Sequence, residues 1–267
     1  MRTSYHTHSR WSDGEGEIAD FVHWASKLGL DELGISDHCV IHPNNSLITW
    51  SIPPNMLEVY VEEVQKAAKK ATSNLTVRLG IEMDYFPETE DLIRSVLAKY
   101  PFDYAIGSVH FFGDFPIDEA AEKWDTLNQE QRNEIIRGYW KSVRKMAESR
   151  LFDIAGHLDL TKKFGHYASV DLSKEISATL DAIADSGMVV ELNTSGWHRP
   201  CKEQYPSLSI LKGCVSRGIS VVVTADAHSP LELVRDFDKA YALLREVGYT
   251  EKDLELRIIR RNFCKLK

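Results

Sequence analysis

The sequence predicts an α/β protein, one parallel β/α barrel spanning residues 1–267. Three observations point there. Seven short segments rich in β-branched and aromatic residues alternate with stretches of helical periodicity, the pattern of parallel strands joined by crossover helices. Two of those segments, 188–193 and 219–224, read as apolar runs, as strands buried on both faces do. No Gly/Ser/Pro-rich linker or low-complexity tract divides the chain, so a single domain is the economical reading.

In order, the strand candidates are 2–8 (RTSYHTH), 31–38 (DELGISDH), 76–86 (TVRLGIEMDYF), 102–112 (FDYAIGSVHFF), 152–160 (FDIAGHLDL), 188–195 (MVVELNTS) and 219–228 (ISVVVTADAH). Between them, Leu57, Val61, Val64 and Ala68 recur at helical steps within 54–72. Ile135, Ile136, Tyr139, Val143 and Met146 do the same within 128–149, where Asn128 and Gln131 have capping-box spacing. Gly187 suits a left-handed cap after a helix over 172–186. The longest irregular stretches, 39–54 and 196–206, are suited to covering a site, and 229–267 reads as a closing helical segment.

Composition excludes several classes. An apolar share of 43% with 27% charged residues is ordinary for a globular protein. With 32 basic against 40 acidic residues, the net charge of −8 argues against a general nucleic-acid surface, though a local basic pocket is compatible with it. No apolar run approaches the roughly 20 residues that cross a bilayer. The start, MRTSYHTHSRW, has no signal-peptide core. Cys39, Cys201, Cys214 and Cys264 form no CxxC pair, so reduced thiols and a cytoplasmic location are expected.

The polar residues carry the chemistry. Six of the seven strand candidates bring a metal-capable residue near the C-terminal end: His6 and His8, His38, Glu82, His110, His157, and Asp226 with His228. In a parallel barrel those ends share one face, where such scaffolds place their sites. Residues two apart on a strand point the same way, so His6/His8 and Asp226/His228 form two same-side pairs. Because the first and last strands of a closed barrel adjoin, the two pairs should be neighbours. Asp37-His38 likewise mixes carboxylate with imidazole, a donor set better suited to Zn²⁺, Mn²⁺ or Fe²⁺ than to Ca²⁺ or Mg²⁺. A lone buried histidine is usually a hydrogen-bonded core residue, and His23, His42 and His166 are read that way. Six imidazoles on one face without metal would bury many unsatisfied polar atoms. Metal binding is therefore the expectation.

His6-Thr7-His8-Ser9 with Ser12-Asp13-Gly14, Ser36-Asp37-His38, Gly80-Ile81-Glu82, Gly107-Ser108-Val109-His110, Gly156-His157-Leu158-Asp159 and Thr224-Ala225-Asp226-Ala227-His228 resemble the polymerase and histidinol phosphatase (PHP) superfamily, in order along the chain. Glu191-Leu192-Asn193-Thr194-Ser195-Gly196, leading to Tyr205-Pro206-Ser207, and Lys162-Lys163-Phe164 after Gly156–Leu160 are most similar to its histidinol-phosphate phosphatases. The resemblance implies a distorted (β/α)7 TIM-like barrel and three divalent ions (Zn, Mn or Fe). It implies hydrolysis of L-histidinol phosphate to L-histidinol and phosphate by a metal-bridging hydroxide, in histidine biosynthesis. The rival substrate is another small phosphate ester, such as a nucleotide or sugar phosphate.

Carried over by position, one ion takes His6, His8, Glu82 and Asp226. A second shares Glu82 and adds His110 and His157, and a third takes Asp13, His38 and His228. Some members have His where this chain has Asp13. Glu82, Asp226 and His228 are the expected catalytic group. Lys162, Lys163, His198 and Arg199, which follow the fifth and sixth strands, are candidates for phosphate contact. Asp84, Phe111, Asp114 and Asp118 are candidates for the alcohol portion, and Trp11 and Trp197 for covering the mouth. Oligomeric state is not legible in the sequence.

Overall fold

The computed structural model describes residues 2–254. Its strands are β1 (Thr3–Ser4), β2 (Glu32–Ile35), β3 (His38–Cys39), β4 (Thr76–Leu79), β5 (Glu82–Asp84), β6 (Ile106–Ser108), β7 (Phe111–Phe112), β8 (Phe115–Pro116), β9 (Ile154–Ala155), β10 (Val189–Asn193) and β11 (Val221–Thr224). β1–β2–β4 form one parallel run, and β3–β5–β6–β9–β10–β11 form another. Chain continuity joins them: β2 leads into β3 through Ser36–Asp37, and β4 into β5 through Gly80–Ile81. A parallel bridge between Thr7 and Ala227 closes the ring, with His8 N donating to Ala227 O (2.8 Å) and Ala227 N to His6 O (3.1 Å).

The result is a barrel of seven strand positions, the TIM-like arrangement expected, with β7–β8 as an added antiparallel hairpin. The expected second and third strands are each broken in two. Gly34 and Gly80, before the breaks, pack against Tyr104, whereas His38 and Glu82, after them, join the histidine cluster. Tyr104 fills the floor, its hydroxyl donating to Tyr5 O. A Cβ on Gly34 or Gly80 would meet that phenol ring at 2.0 or 2.3 Å, so only glycine fits there.

The helices are α1 (Ile18–Lys27), α2 (Leu57–Lys70), α3 (Glu90–Lys99), α4 (Ala121–Asp125), α5 (Gln129–Ser149), α6 (Ser173–Ser186), α7 (Leu208–Ser216), α8 (Phe237–Val247) and α9 (Glu251–Leu254). The capping box starts α5: Gln131 N donates to Asn128 Oδ1 (3.0 Å) and Asn128 N to Gln131 Oε1 (2.9 Å). Its apolar stripe, Ile135, Ile136, Tyr139, Val143 and Met146, is buried. Each such side chain contributes roughly 1.5–3 kcal/mol of transfer free energy. α6 stops at Gly187, whose φ of 77° is the left-handed cap. The helix expected within 54–72 is α2, entered by a 3-10 turn at Pro54–Met56. Of the closing segment, 229–254 contains α8 and α9, and 255–267 lies outside the described residues. Among the described residues, no helix is long and apolar enough to cross a membrane.

Candidate metal centre

The barrel closure builds the site. Thr7 opposite Ala227 sets His6/His8 beside Asp226/His228. The rings of His6 and His8 lie 4.9 Å apart, and those of His8 and His228 4.5 Å. His38 opens β3 in register with Glu82, which opens β5. His110 and His157 follow β6 and β9. Asp226 has a φ of 51°, a left-handed conformation that aspartate tolerates better than most residues. That turn leaves its carboxylate beside the His6 and His8 rings.

Asp13 arrives on the loop after His8. Asp37 fastens that loop, accepting from Ser9 N (2.7 Å), Ser9 Oγ (2.8 Å) and Ser12 Oγ (2.7 Å). The carboxylate of the Asp37-His38 pair, expected as a donor, thus faces Ser9 and Ser12 instead of the histidine cluster. Glu15 N donates to His228 O at 2.7 Å. A Cβ on Gly14 would sit 1.9 Å from His8 O, so glycine is required for this tight approach.

The inward atoms form overlapping groups at ligand spacing. Nε2 of His6 and of His8 lie 3.1 and 3.5 Å from Glu82 Oε2, and 3.6 and 3.1 Å from Asp226 Oδ1. Nε2 of His110 and of His157 are 3.1 Å apart, and 3.8 and 3.0 Å from Glu82 Oε1. Asp13 Oδ1 lies 3.7 Å from His38 Nε2 and 3.3 Å from His228 Nε2. Donors held tetrahedrally at 2.0–2.1 Å from an ion are about 3.3 Å from one another. Each set therefore has the spacing of one coordination shell. The sets also touch: His8 stacks on His38 with centroids 4.1 Å apart, and Glu82 Oε2 is 2.7 Å from His38 Nδ1.

Several of these short separations are not hydrogen bonds. His6 Nε2, both nitrogens of His8, His38 Nδ1 and Glu82 Oε2 are buried without a hydrogen bond. Such atoms cost about 1–3 kcal/mol each when left unpaired. Divalent cations would satisfy the inward nitrogens and Glu82 Oε2, and imidazole with carboxylate suits Zn²⁺, Mn²⁺ or Fe²⁺. The residues fit the metal.

Outward bonds fix the rings. His6 Nδ1 pairs with Glu191 Oε2 (2.8 Å), His110 Nδ1 with Asp84 Oδ2 (2.9 Å) and His228 Nδ1 with Asp226 O (2.9 Å). A proton on each Nδ1 leaves Nε2 as the inward lone pair. Glu191 was missed in the sequence because 188–193 reads as an apolar run. It is fully buried and also accepts from His157 N, Thr224 Oγ1 (2.8 Å) and Asn193 Nδ2 (3.1 Å). A glutamate between Val190 and Leu192 was the available signal.

The ionic balance is strongly perturbed. Burial pushes His6 down, yet Glu191, Glu82 and Asp226 together raise it well above an ordinary imidazole. Burial likewise opposes His110 and His228, but Asp84 and Asp118 lift the first to about 10, and Asp13 and Asp226 lift the second to about 9. Burial, then His38 and His228, push His8 down to about 3. Burial pushes Glu82 up, but His6 and His38 hold it well below the usual carboxylate range.

A cavity of about 340 Å³ opens over the cluster, lined by Trp50 and Leu160 as well as Lys163, Arg199, Asp118 and Tyr205. The long loops thus supply Trp50, Arg199 and Tyr205. Two of the four candidate phosphate contacts are elsewhere. Lys162 Nζ is buried against Asp159 (3.1 Å), Glu203 (2.8 Å) and Gln204 O (2.8 Å). His198 pairs with Asp236 at 2.6 Å, outside the cavity lining. Trp11 Nε1 donates to Glu63 and Trp197 Nε1 to Gln204, so neither covers the mouth. Trp50 does, stacked on Phe111 with centroids 6.0 Å apart.

Fold and site together define a parallel-barrel protein with a histidine–carboxylate cluster of metal-binding type at its mouth. The PHP domain family model matches residues 4–195. A probable histidinol-phosphatase of Deinococcus radiodurans is 35% identical over 233 residues, covering 87% of this chain and 88% of the relative. The chain belongs to the PHP domain family and, within it, to the histidinol-phosphatases. A histidinol-phosphatase of Lactococcus lactis is 23% identical over 94% of this chain and 93% of its own length. The crystal structure of the Lactococcus lactis histidinol phosphate phosphatase complexed with Zn, L-histidinol and phosphate superposes with a TM-score of 0.78 at 23% identity, covering 93% of this chain and 94% of that one. That of a putative histidinol phosphatase from Listeria monocytogenes gives 0.79 at 24% identity, covering 89% and 99%. Both share this fold.

Proposed function

We propose that this protein hydrolyses L-histidinol phosphate to L-histidinol and inorganic phosphate, as a cytoplasmic enzyme of histidine biosynthesis using three divalent ions. The observation that carries this reading is the set of buried, unbonded imidazole and carboxylate atoms at coordination spacing beneath a cavity containing Lys163 and Arg199. The family relationship and the names of the relatives support the substrate. Among the described residues, Cys39, Cys201 and Cys214 are free thiols, in keeping with that compartment.

His6, His8, Glu82 and Asp226 would hold one ion, Glu82, His110 and His157 a second, and Asp13, His38 and His228 a third. Bound divalent ions supply an acidified water and neutralise phosphoryl charge. The chain does the rest. Glu191, Asp84 and the Asp226 carbonyl keep the imidazole protons on Nδ1. The Arg199 guanidinium and Lys163 ammonium bind phosphoryl oxygens, the guanidinium offering two parallel donors. Trp50, Leu160 and Tyr205 narrow the cavity and displace bulk water, which strengthens each of these charges.

The test is phosphate release from L-histidinol phosphate, nucleoside monophosphates and sugar phosphates, with and without Mn²⁺ or Zn²⁺. Metal-dependent turnover with preference for L-histidinol phosphate is expected. Preference for a nucleotide or sugar phosphate would overturn the substrate, and full turnover with one ion per chain would overturn the ion count.

A further inference from the structure

One ion pair lines the cavity beside the histidine cluster. Lys163 Nζ donates to Asp118 O (2.7 Å) and to Asp118 Oδ2 (3.1 Å). The other carboxylates named for the alcohol portion are committed elsewhere. Asp84 is buried against His110, its Oδ1 accepting His110 N at 2.8 Å. Asp114 is exposed and accepts from Asn44 Nδ2 at 2.7 Å. Glu119, at the rim, is half exposed and pairs with Lys123 at 2.9 Å. Asp118 is three-quarters shielded and close enough to the cluster that Lys163, His110 and His157 hold its carboxyl below the usual range against burial.

We propose that Asp118 is the specificity-determining residue of the cavity, selecting a phosphate ester whose alcohol carries an ammonium group, with Lys163 taking the phosphate. This rests on the histidinol-phosphatase reading and deepens it. In L-histidinol phosphate the ammonium-bearing carbon adjoins the ester carbon, so the two charges are a few ångströms apart. The side-by-side pair of Lys163 and Asp118 is the complement of that dipole. When the ester binds, each member exchanges one opposite charge for another, and no desolvated charge is left unpaired. An ester with a neutral alcohol would draw Lys163 to its phosphate and strand the Asp118 carboxylate, which disfavours it.

The metal-loaded enzyme and its Asp118→Asn variant are compared on L-histidinol phosphate and on the des-amino analogue that keeps imidazole and phosphate. Asp118→Asn is expected to lower kcat/KM for L-histidinol phosphate about ten- to a hundredfold, the range for a lost charged hydrogen bond. The analogue, which no longer strands a carboxylate, should be hydrolysed at least as well as by the wild type, so the preference for the amine falls from both sides. Equal losses on both esters would overturn the role of Asp118 and leave the reaction standing. If that variant does not fold, Lys163→Met decides. It should slow both esters while preserving the preference for the amine, and loss of that preference would overturn the proposal. A wild-type enzyme inactive on L-histidinol phosphate but active on other esters would overturn the substrate reading, and this proposal with it.

Discussion

Glutamine in place of Glu191 alters no shape and removes one charge from the barrel interior. Four donors converge on that carboxylate: His6 Nδ1 and Thr224 Oγ1 on Oε2, and His157 N and Asn193 Nδ2 on Oε1. A glutamine has one acceptor oxygen, so either amide orientation sets an NH₂ group against two of the four. The charge-assisted bond to His6 accounts for roughly 1.5–3 kcal/mol. At 1.4 kcal/mol per tenfold, that is about ten- to a hundredfold in affinity for the ion beside His6 and Glu82. Loss of an outer partner of a metal-bound histidine has effects of the same size. The assay is competition between the protein and a chelator of known affinity, with kcat measured at saturating metal. A weakened ion with kcat largely recovered at high metal is expected. Metal affinity within threefold of wild type would refute the assignment of Glu191 as the residue that positions His6 and His157.

Other perturbations separate neighbouring roles. Glu82→Gln should remove most turnover and lower metal content at two positions, because Oε1 and Oε2 face different ligand sets; near-normal kcat and metal content would contradict this. Lys162→Met should destabilise the fold by about 3 kcal/mol, since it strands the buried Asp159 carboxylate, whereas Lys163→Met should chiefly raise KM; thermal unfolding and steady-state kinetics read the two apart. Metal binding at pH 7 should release protons from His110 and His228, which burial opposes but neighbouring carboxylates lift to about 10 and about 9, and which must each yield a proton to ligate. His6, raised well above an ordinary imidazole, adds to the release, while His8, lowered to about 3, does not. Calorimetry in buffers of different ionisation enthalpy counts the protons, and release of none would contradict the ligand set.

Much of this was legible from residue types and spacing. HxH spacing and barrel closure sufficed to bring His6 and His8 beside the last strand, whereas Asp226 reaches them through a left-handed turn past the end of β11 that the spacing does not encode. Asn128/Gln131 and Gly187 marked helix ends because capping depends on local chemistry alone. Features that depend on the third dimension were not legible. Glu191 and Asp84 reach their histidines across neighbouring strands. Lys162 and Lys163 are adjacent in sequence yet reach different partners, because the 3-10 turn at Leu160–Lys162 rotates successive side chains by about a third of a circle. Trp50 lines the cavity through the return path of a long loop, which no periodicity encodes. The breaks at Ser36–Asp37 and Gly80–Ile81 were not legible either, since Tyr104, which packs on Gly34 and Gly80 beside them, is distant in sequence.

Anomalous diffraction from crystals of the metal-loaded protein, collected at the edges of Mn and Zn, bears most directly on the histidine–carboxylate cluster. Three peaks are expected, neighbours about 3.5–4 Å apart, with Glu82 between two of them and Asp13 beside the third. Peaks confined to other parts of the surface, or a fully active crystal with a single peak, would contradict the account.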